Sequence, residues 1–201
     1  PPVEPAAEEA GDGLIDVGAI SDLLAAAEPV PVSVDRLDDY EEALWQRFRQ
    51  ERAAERKVAY EARVLTSGEK TMRFTVETIG DRPRDGYPVY IALHGGGSAP
   101  AEVNDQQWAS MQGYYRDSIK AGLYVVPRGV TDEWNLHFDD ASYALYDQLI
   151  EDLILLEEVD ADRVYLLGFS AGGDGVYQIA PRMAGRVAAV GMSAGHDNGG
   201  S

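Results

Sequence analysis

The sequence predicts an α/β fold with a mostly parallel sheet and crossover helices, preceded by a helical N-terminal segment. Two observations carry this. From about residue 62 onward, apolar runs alternate with helix-period segments of about 12 to 18 residues, the pattern of strands joined by crossover helices. Some runs, such as Tyr87-Pro-Val-Tyr-Ile-Ala-Leu93, are apolar at nearly every position, which suits strands covered on both faces. Crossovers between parallel strands are almost always right-handed, which narrows the topology further.

Taken in order, residues 1–13 (PPVEPAAEEAGDG) contain only Val3 as a sizeable apolar side chain and read as a disordered lead-in. The segment 14–61 reads as helical. A short helix is expected over Leu14–Ala27, stopped at Glu28-Pro29. A longer one follows Ser33 with Leu37, Tyr40, Leu44, Trp45 and Phe48 at helical spacing. Its continuation, Arg47 to Arg63, is charge-rich and is expected to face solvent. Packing, linkage or oligomerisation is the role expected of this segment.

The α/β domain is expected over 62–201. Strands are expected over 62–66 and 71–79, parted by Ser67-Gly68, and over 87–93. A helix capped by Asn104 or Asp105 then turns Trp108, Met111, Tyr115 and Ile119 to one side. The strand 122–126 leads through a loop containing Trp134 and His137 to a helix over 142–157, with Tyr146, Leu149, Ile150, Leu153 and Ile154 inward. The strand 163–169, a helix to about Ala184 and the strand 187–192 complete the pattern.

Composition excludes several function classes. The 201 residues carry a formal charge of −18, which argues against nucleic acid as a partner and against docking on anionic lipid. No apolar run is long enough to span a membrane. The absence of cysteine removes disulfides, zinc–thiolate sites and a thiol nucleophile, and fits either side of a membrane, a secreted or periplasmic setting included. The chain does not begin with Met, so an upstream segment is expected to have been removed or left unrecorded. Residues 131–162 hold acids and no Lys or Arg. Lacking the grammar of a calcium loop, they are expected to form a solvated surface rather than a metal site.

Two motifs carry chemistry. Gly168-Phe-Ser-Ala-Gly172 is a G-x-S-x-G sequence that follows an apolar strand and opens a helix. A serine at so sharp a turn needs small residues on either side, which Gly168 and Gly172 supply, and the helix N-terminus brings free N–H groups to Ser170. Some 75 residues earlier, His94-Gly95-Gly96-Gly97 ends another buried strand. Its glycines can aim backbone N–H groups at a developing oxyanion. The expected donors are Ala171 with Gly96 and Gly97, while His94 and Gly95 support the turn.

With both motifs in this order, the chain resembles the α/β-hydrolase superfamily over roughly residues 70–193. GFSAGGDG and Met192-Ser-Ala-Gly-His196 are most similar to esterases grouped with polyhydroxybutyrate depolymerases, feruloyl esterases and predicted peptidases. The hormone-sensitive-lipase branch is similar in its HGGG, but usually has Asp where this chain has Phe169. The resemblance implies a serine nucleophile at Ser170, no cofactor or metal, and a small-molecule or polymeric ester as substrate. It also implies a triad acid and histidine farther along the chain than His196 and Asp197. The chain is therefore expected to be an incomplete catalytic domain, weakly active or inactive alone. Trp134, His137 and His196 are candidate substrate contacts at the pocket wall. Two alternatives stand beside the esterase: a serine peptidase or acylaminoacyl-type hydrolase, and a non-catalytic protein on a decayed hydrolase fold.

Overall fold

The computed structural model describes residues 34–197, so the expected lead-in 1–13 and the short helix 14–27 lie outside the described residues. The chain divides into two units, 1–45 and 46–201. In the first, a 3-10 turn over Val34–Arg36 leads into helix α1, Leu37–Glu61, which runs on into the second.

The second unit is the expected α/β layer structure. Its strands are β1 (Val64–Ser67), β2 (Lys70–Ile79), β3 (Tyr87–Leu93), β4 (Gly122–Pro127), β5 (Val159–Phe169) and β6 (Ala189–Ser193). The helices between them are α2 (Ala101–Tyr114), α3 (Asp140–Leu156) and α4 (Ala171–Arg182). The sheet order is β1-β2-β4-β3-β5-β6. Strands β4, β3, β5 and β6 run parallel, and β1 and β2 form an antiparallel margin.

The apolar character of β3 follows from its central place. Val89, Ile91 and Leu93 are buried against Leu145, Leu149, Ile150 and Leu153 of α3 and Val176 and Ile179 of α4. The opposite face, with Ala92, Tyr124 and Val126, packs on Met111 and Trp108 of α2. Complete burial of an aliphatic side chain contributes ~1.5–3 kcal/mol, so α3 is held mainly by its inward row. Toward β6 the α2 side opens into a groove of about 240 Å³ lined by Tyr90, Tyr115, Tyr165, Leu167 and Val190.

Several sequence expectations are corrected. Helix α2 starts at Ala101 after Pro100, three residues ahead of the expected cap, and Asn104 is wholly buried inside its first turn. Proline suits a helix start because its missing N–H would have no partner there. Asp139 caps α3 by accepting from the Ala141 N–H at 3.1 Å, placing the start before Ser142. The charge-rich continuation of α1 exposes about half of its residues, as expected, while its other side is anchored to α3 and to Glu157 just after it. Arg49 Nε donates to the Leu155 carbonyl (2.7 Å), Arg56 Nη2 to Glu151 (2.6 Å), and the buried Tyr60 hydroxyl to Glu157 (2.8 Å). Nor is the acidic stretch a simple solvated face. Asp147 and Glu151 pair with Arg186, Asp160 with Arg163, and Asp152 is fully buried 3.5 Å from Arg56.

Candidate active site

In the parallel register Leu93 of β3 lies opposite Gly168 of β5. The two motifs therefore leave the sheet at the same end, side by side. The chain leaves β3 toward β4 and returns beyond β3 to β5, so the neighbouring strands β3 and β5 flank a point of topological reversal. Crevices at carboxyl ends of strands at such points are the usual ligand sites of open α/β sheets.

Ser170 occupies the turn between β5 and α4 with φ 55° and ψ −123°. A side chain at positive φ is strained, at a typical cost of ~1–3 kcal/mol, and must be held there by its surroundings. The Ser170 N–H donates to the Ser193 carbonyl at 2.9 Å, which fixes the turn against the end of β6. A Cβ on Gly168 would collide with the Gly172 carbonyl, and one on Gly172 with the Leu93 carbonyl. Both glycines are thus required by close backbone approach. The Ser170 side chain is half-buried, and its hydroxyl has no hydrogen-bond partner among the described residues. Helix α4 begins at Ala171 without a capping side chain, so among the described residues no side chain takes up its first N–H groups.

The glycine loop faces this serine. A Cβ on Gly95 would stand 3.3 Å from Ser170 Cβ. Gly96 and Gly97 have φ of 112° and 83°, which side-chain-bearing residues rarely adopt. His94 is wholly buried beneath the loop. Its Nε2 accepts from the Gly129 N–H (3.0 Å), so the ring proton is on Nδ1 and is donated to the Gly95 carbonyl (2.6 Å). Burial, with the Arg128 charge in support, pushes its pKa down from 6.5 to about 4 and keeps the ring neutral.

The three candidate contacts part company. His137 is wholly buried: Nε2 donates to the His94 carbonyl (2.9 Å), and Nδ1 accepts from the Tyr146 hydroxyl (2.8 Å). Burial lowers its pKa well below the ordinary value, and its ring lies edge-on to His94 at 4.7 Å. This geometry withdraws His137 from the pocket wall and makes it a structural tie. Trp134, 41% exposed, and His196, with its side chain 66% exposed, remain open to solvent with ring centroids 6.3 Å apart. The Trp134 Cα would stand 3.1 Å from a Cβ on Gly97, which puts the tryptophan beside the glycine loop.

Gly97 was expected to share the oxyanion role, but its N–H donates to Asn104 Oδ1 at 2.9 Å and is already used. The sequence does not mark Asn104, Asp132, Arg128 or Asp174 as neighbours of the two motifs. Asp174, one helical turn after Ser170, is buried and accepts from the His196 N–H at 2.7 Å, while its Oδ2 is without a partner. The four-residue spacing from Ser170 was the available signal. The others are joined only by folding. Among the described residues no cluster of His, Asp or Glu could hold a metal ion, and no helix is long and apolar enough to cross a membrane.

No family model and no curated protein matches the chain. Solved structures do. The poly(3-hydroxybutyrate) depolymerase LpqC of Bordetella parapertussis is 22% identical with a TM-score of 0.43, covering 55% of this chain and 41% of its own. Est1E of Butyrivibrio proteoclasticus, solved with ferulic acid, is 15% identical with a TM-score of 0.43, covering 63% and 50%. An enterochelin esterase of Shigella flexneri is 17% identical with a TM-score of 0.42, covering 60% and 31%. The chain thus spans between 31% and 50% of the length of these three enzymes.

Proposed function

We propose that the chain carries the nucleophile and oxyanion hole of a serine hydrolase acting on carboxylic esters. The observation that supports this most is the strained Ser170, at φ 55°, lying directly against Gly95. In the reaction, Ser170 Oγ attacks the ester carbonyl carbon while the hydroxyl proton passes to a base. The oxygen that gains charge accepts hydrogen bonds from the N–H groups of Gly96 and Ala171. Collapse of the tetrahedral intermediate expels the alcohol, which takes up a proton, and water then releases the acid from the acyl-serine. Each oxyanion donor is worth about 10²–10³ in rate.

His94 and His137 are not the base, because both rings are buried, neutral and bonded at both nitrogens. With the Ser170 hydroxyl unpartnered among the described residues, the chain alone reacts slowly, at the residual rate that an oxyanion hole sustains. Trp134 and His196 border the site and contact the substrate. Small and polymeric esters both fit this reading, and no metal or cofactor enters it.

Acylation by excess p-nitrophenyl acetate tests the proposal. One equivalent of nitrophenolate is expected from the chain and none above background from Ser170→Ala, with little release of nitroaniline from the corresponding anilide. Equal release by chain and variant contradicts the esterase reading, and faster reaction with the anilide favours an amidase.

A further inference from the structure

Asn104 uses both ends of its side chain amide beside the glycine loop. It is wholly buried in the first turn of α2. Its Oδ1 accepts from the Gly97 N–H (2.9 Å), and its Nδ2 donates to the Ala99 carbonyl (3.0 Å) and to Asp132 Oδ1 (2.9 Å). Both amide hydrogens are spent, and a flipped amide would set its NH₂ against the Gly97 N–H. The orientation is therefore fixed by its partners. Asp132 is fixed in turn by Arg128, a residue only 6% exposed whose guanidinium also donates to Asp105 Oδ1 (2.8 Å) and to the carbonyls of Gly129 (2.8 Å) and Thr131 (3.1 Å). Arg128 holds the Asp105 and Asp132 carboxyls below their ordinary pKa.

The same oxygen reaches the neighbouring glycine. A Cβ on Gly96 would collide with Asn104 Oδ1. Asn104 thus holds Gly97 by its N–H and lies against Gly96 at once. A buried amide inside a helix is costly unless its polar groups are satisfied, and asparagine is a weak helix former. An apolar residue would pack α2 at lower cost but would leave the Gly97 N–H free and the loop unanchored.

Building on the esterase reading, we propose that Asn104 is the positioning residue of the oxyanion hole. By consuming the Gly97 N–H it fixes the loop so that Gly96, not Gly97, presents the donor opposite Ala171. The chain Arg128–Asp132–Asn104–Gly97 ties that donor to the loop after β4, which also carries Trp134. Substrate wall and oxyanion donor then move as one piece.

Two measurements on the intact chain test this. Amide hydrogen exchange by NMR should show Gly97 protected and Gly96 exchanging freely in the unmodified protein. In Asn104→Leu, which nearly conserves volume, the Gly97 protection should be lost. Second, the rate of Ser170 phosphonylation by a fluorophosphonate should fall about ten- to a hundredfold in Asn104→Leu, the scale of loss that small misplacements of reacting groups produce. The fall should appear in the maximal covalent rate and not in the half-saturating probe concentration. A merely structural role would lower thermal stability and leave that maximal rate unchanged in the folded fraction. Free exchange at Gly97 in the unmodified chain, or an unchanged maximal rate in the variant, overturns the proposal. Failure of the unmodified chain to label at Ser170 would instead overturn the esterase reading, and the exchange measurement would still decide the role of Asn104.

Discussion

The buried neutral His94 makes stability depend on pH in a way that can be isolated. Its pKa is about 4 in the folded chain against an ordinary 6.5. The folded-state value is depressed, so the stabilisation is complete above 6.5 and is lost as pH falls toward 4. The unfolded ring then takes a proton that the folded ring refuses. At about 1.36 kcal/mol per pH unit, a drop from about pH 7.5 to about pH 5 costs about 2 kcal/mol through this one residue. His137 acts in the same direction. Asp152, raised to about 6, opposes both, and the charges facing His94 are those of Arg128, Asp105 and Asp132. The perturbation that separates His94 from the rest is His94→Gln, which keeps polar atoms beneath the loop but cannot titrate. Urea unfolding of both proteins at the two pH values gives four free energies. The destabilisation caused by the substitution should be about 2 kcal/mol smaller at the lower pH. An equal destabilisation at both values would refute the account, since it would mean that the ring titrates alike in folded and unfolded chains.

Three further outcomes are expected. Asp152 is buried with both carboxylate oxygens lacking hydrogen bonds and a pKa raised from 3.8 to about 6, mainly by burial. Its contribution is present below pH 4 and lost as pH rises through 6. Asp152→Asn should therefore stabilise the chain above about pH 7, by at most about 3 kcal/mol, with no gain at about pH 4 in the same thermal melts. Gly172→Ala should destabilise by about 2 kcal/mol or more in urea and abolish acylation of Ser170, because its methyl group meets the Leu93 carbonyl. Arg128→Met should cost about 2 kcal/mol, less than a fully buried pair because Asp105 and Asp132 are 44% and 42% exposed and rehydrate. Exchange protection at Gly97 should fall with it.

The parts legible from the sequence are those whose cause is local. The β5–Ser170–α4 turn and the His94 loop are written in contiguous residues, and the apolar periodicity of Tyr146, Leu149, Ile150 and Leu153 names the inward face of α3 directly. What was missed depends on partners far along the chain. Asn104 looks like a helix cap until Pro100 starts the helix earlier and Gly97 and Asp132 are folded around it. The acids of 131–162 look solvated because the bases that meet them, among them Arg56, Arg82, Arg128, Arg163 and Arg186, stand outside that stretch. His137, on a loop bordering the site, reads as a pocket residue, and only the fold turns its ring inward to the His94 carbonyl and Tyr146.

The nucleophile assignment to Ser170 is tested most directly by mapping covalent modification. After hours of incubation with a fluorophosphonate, intact mass and peptide sequencing should find one adduct, on Ser170, and none on Ser170→Ala. An adduct on another residue, the same labelling in the variant, or no adduct on the folded chain would contradict the assignment.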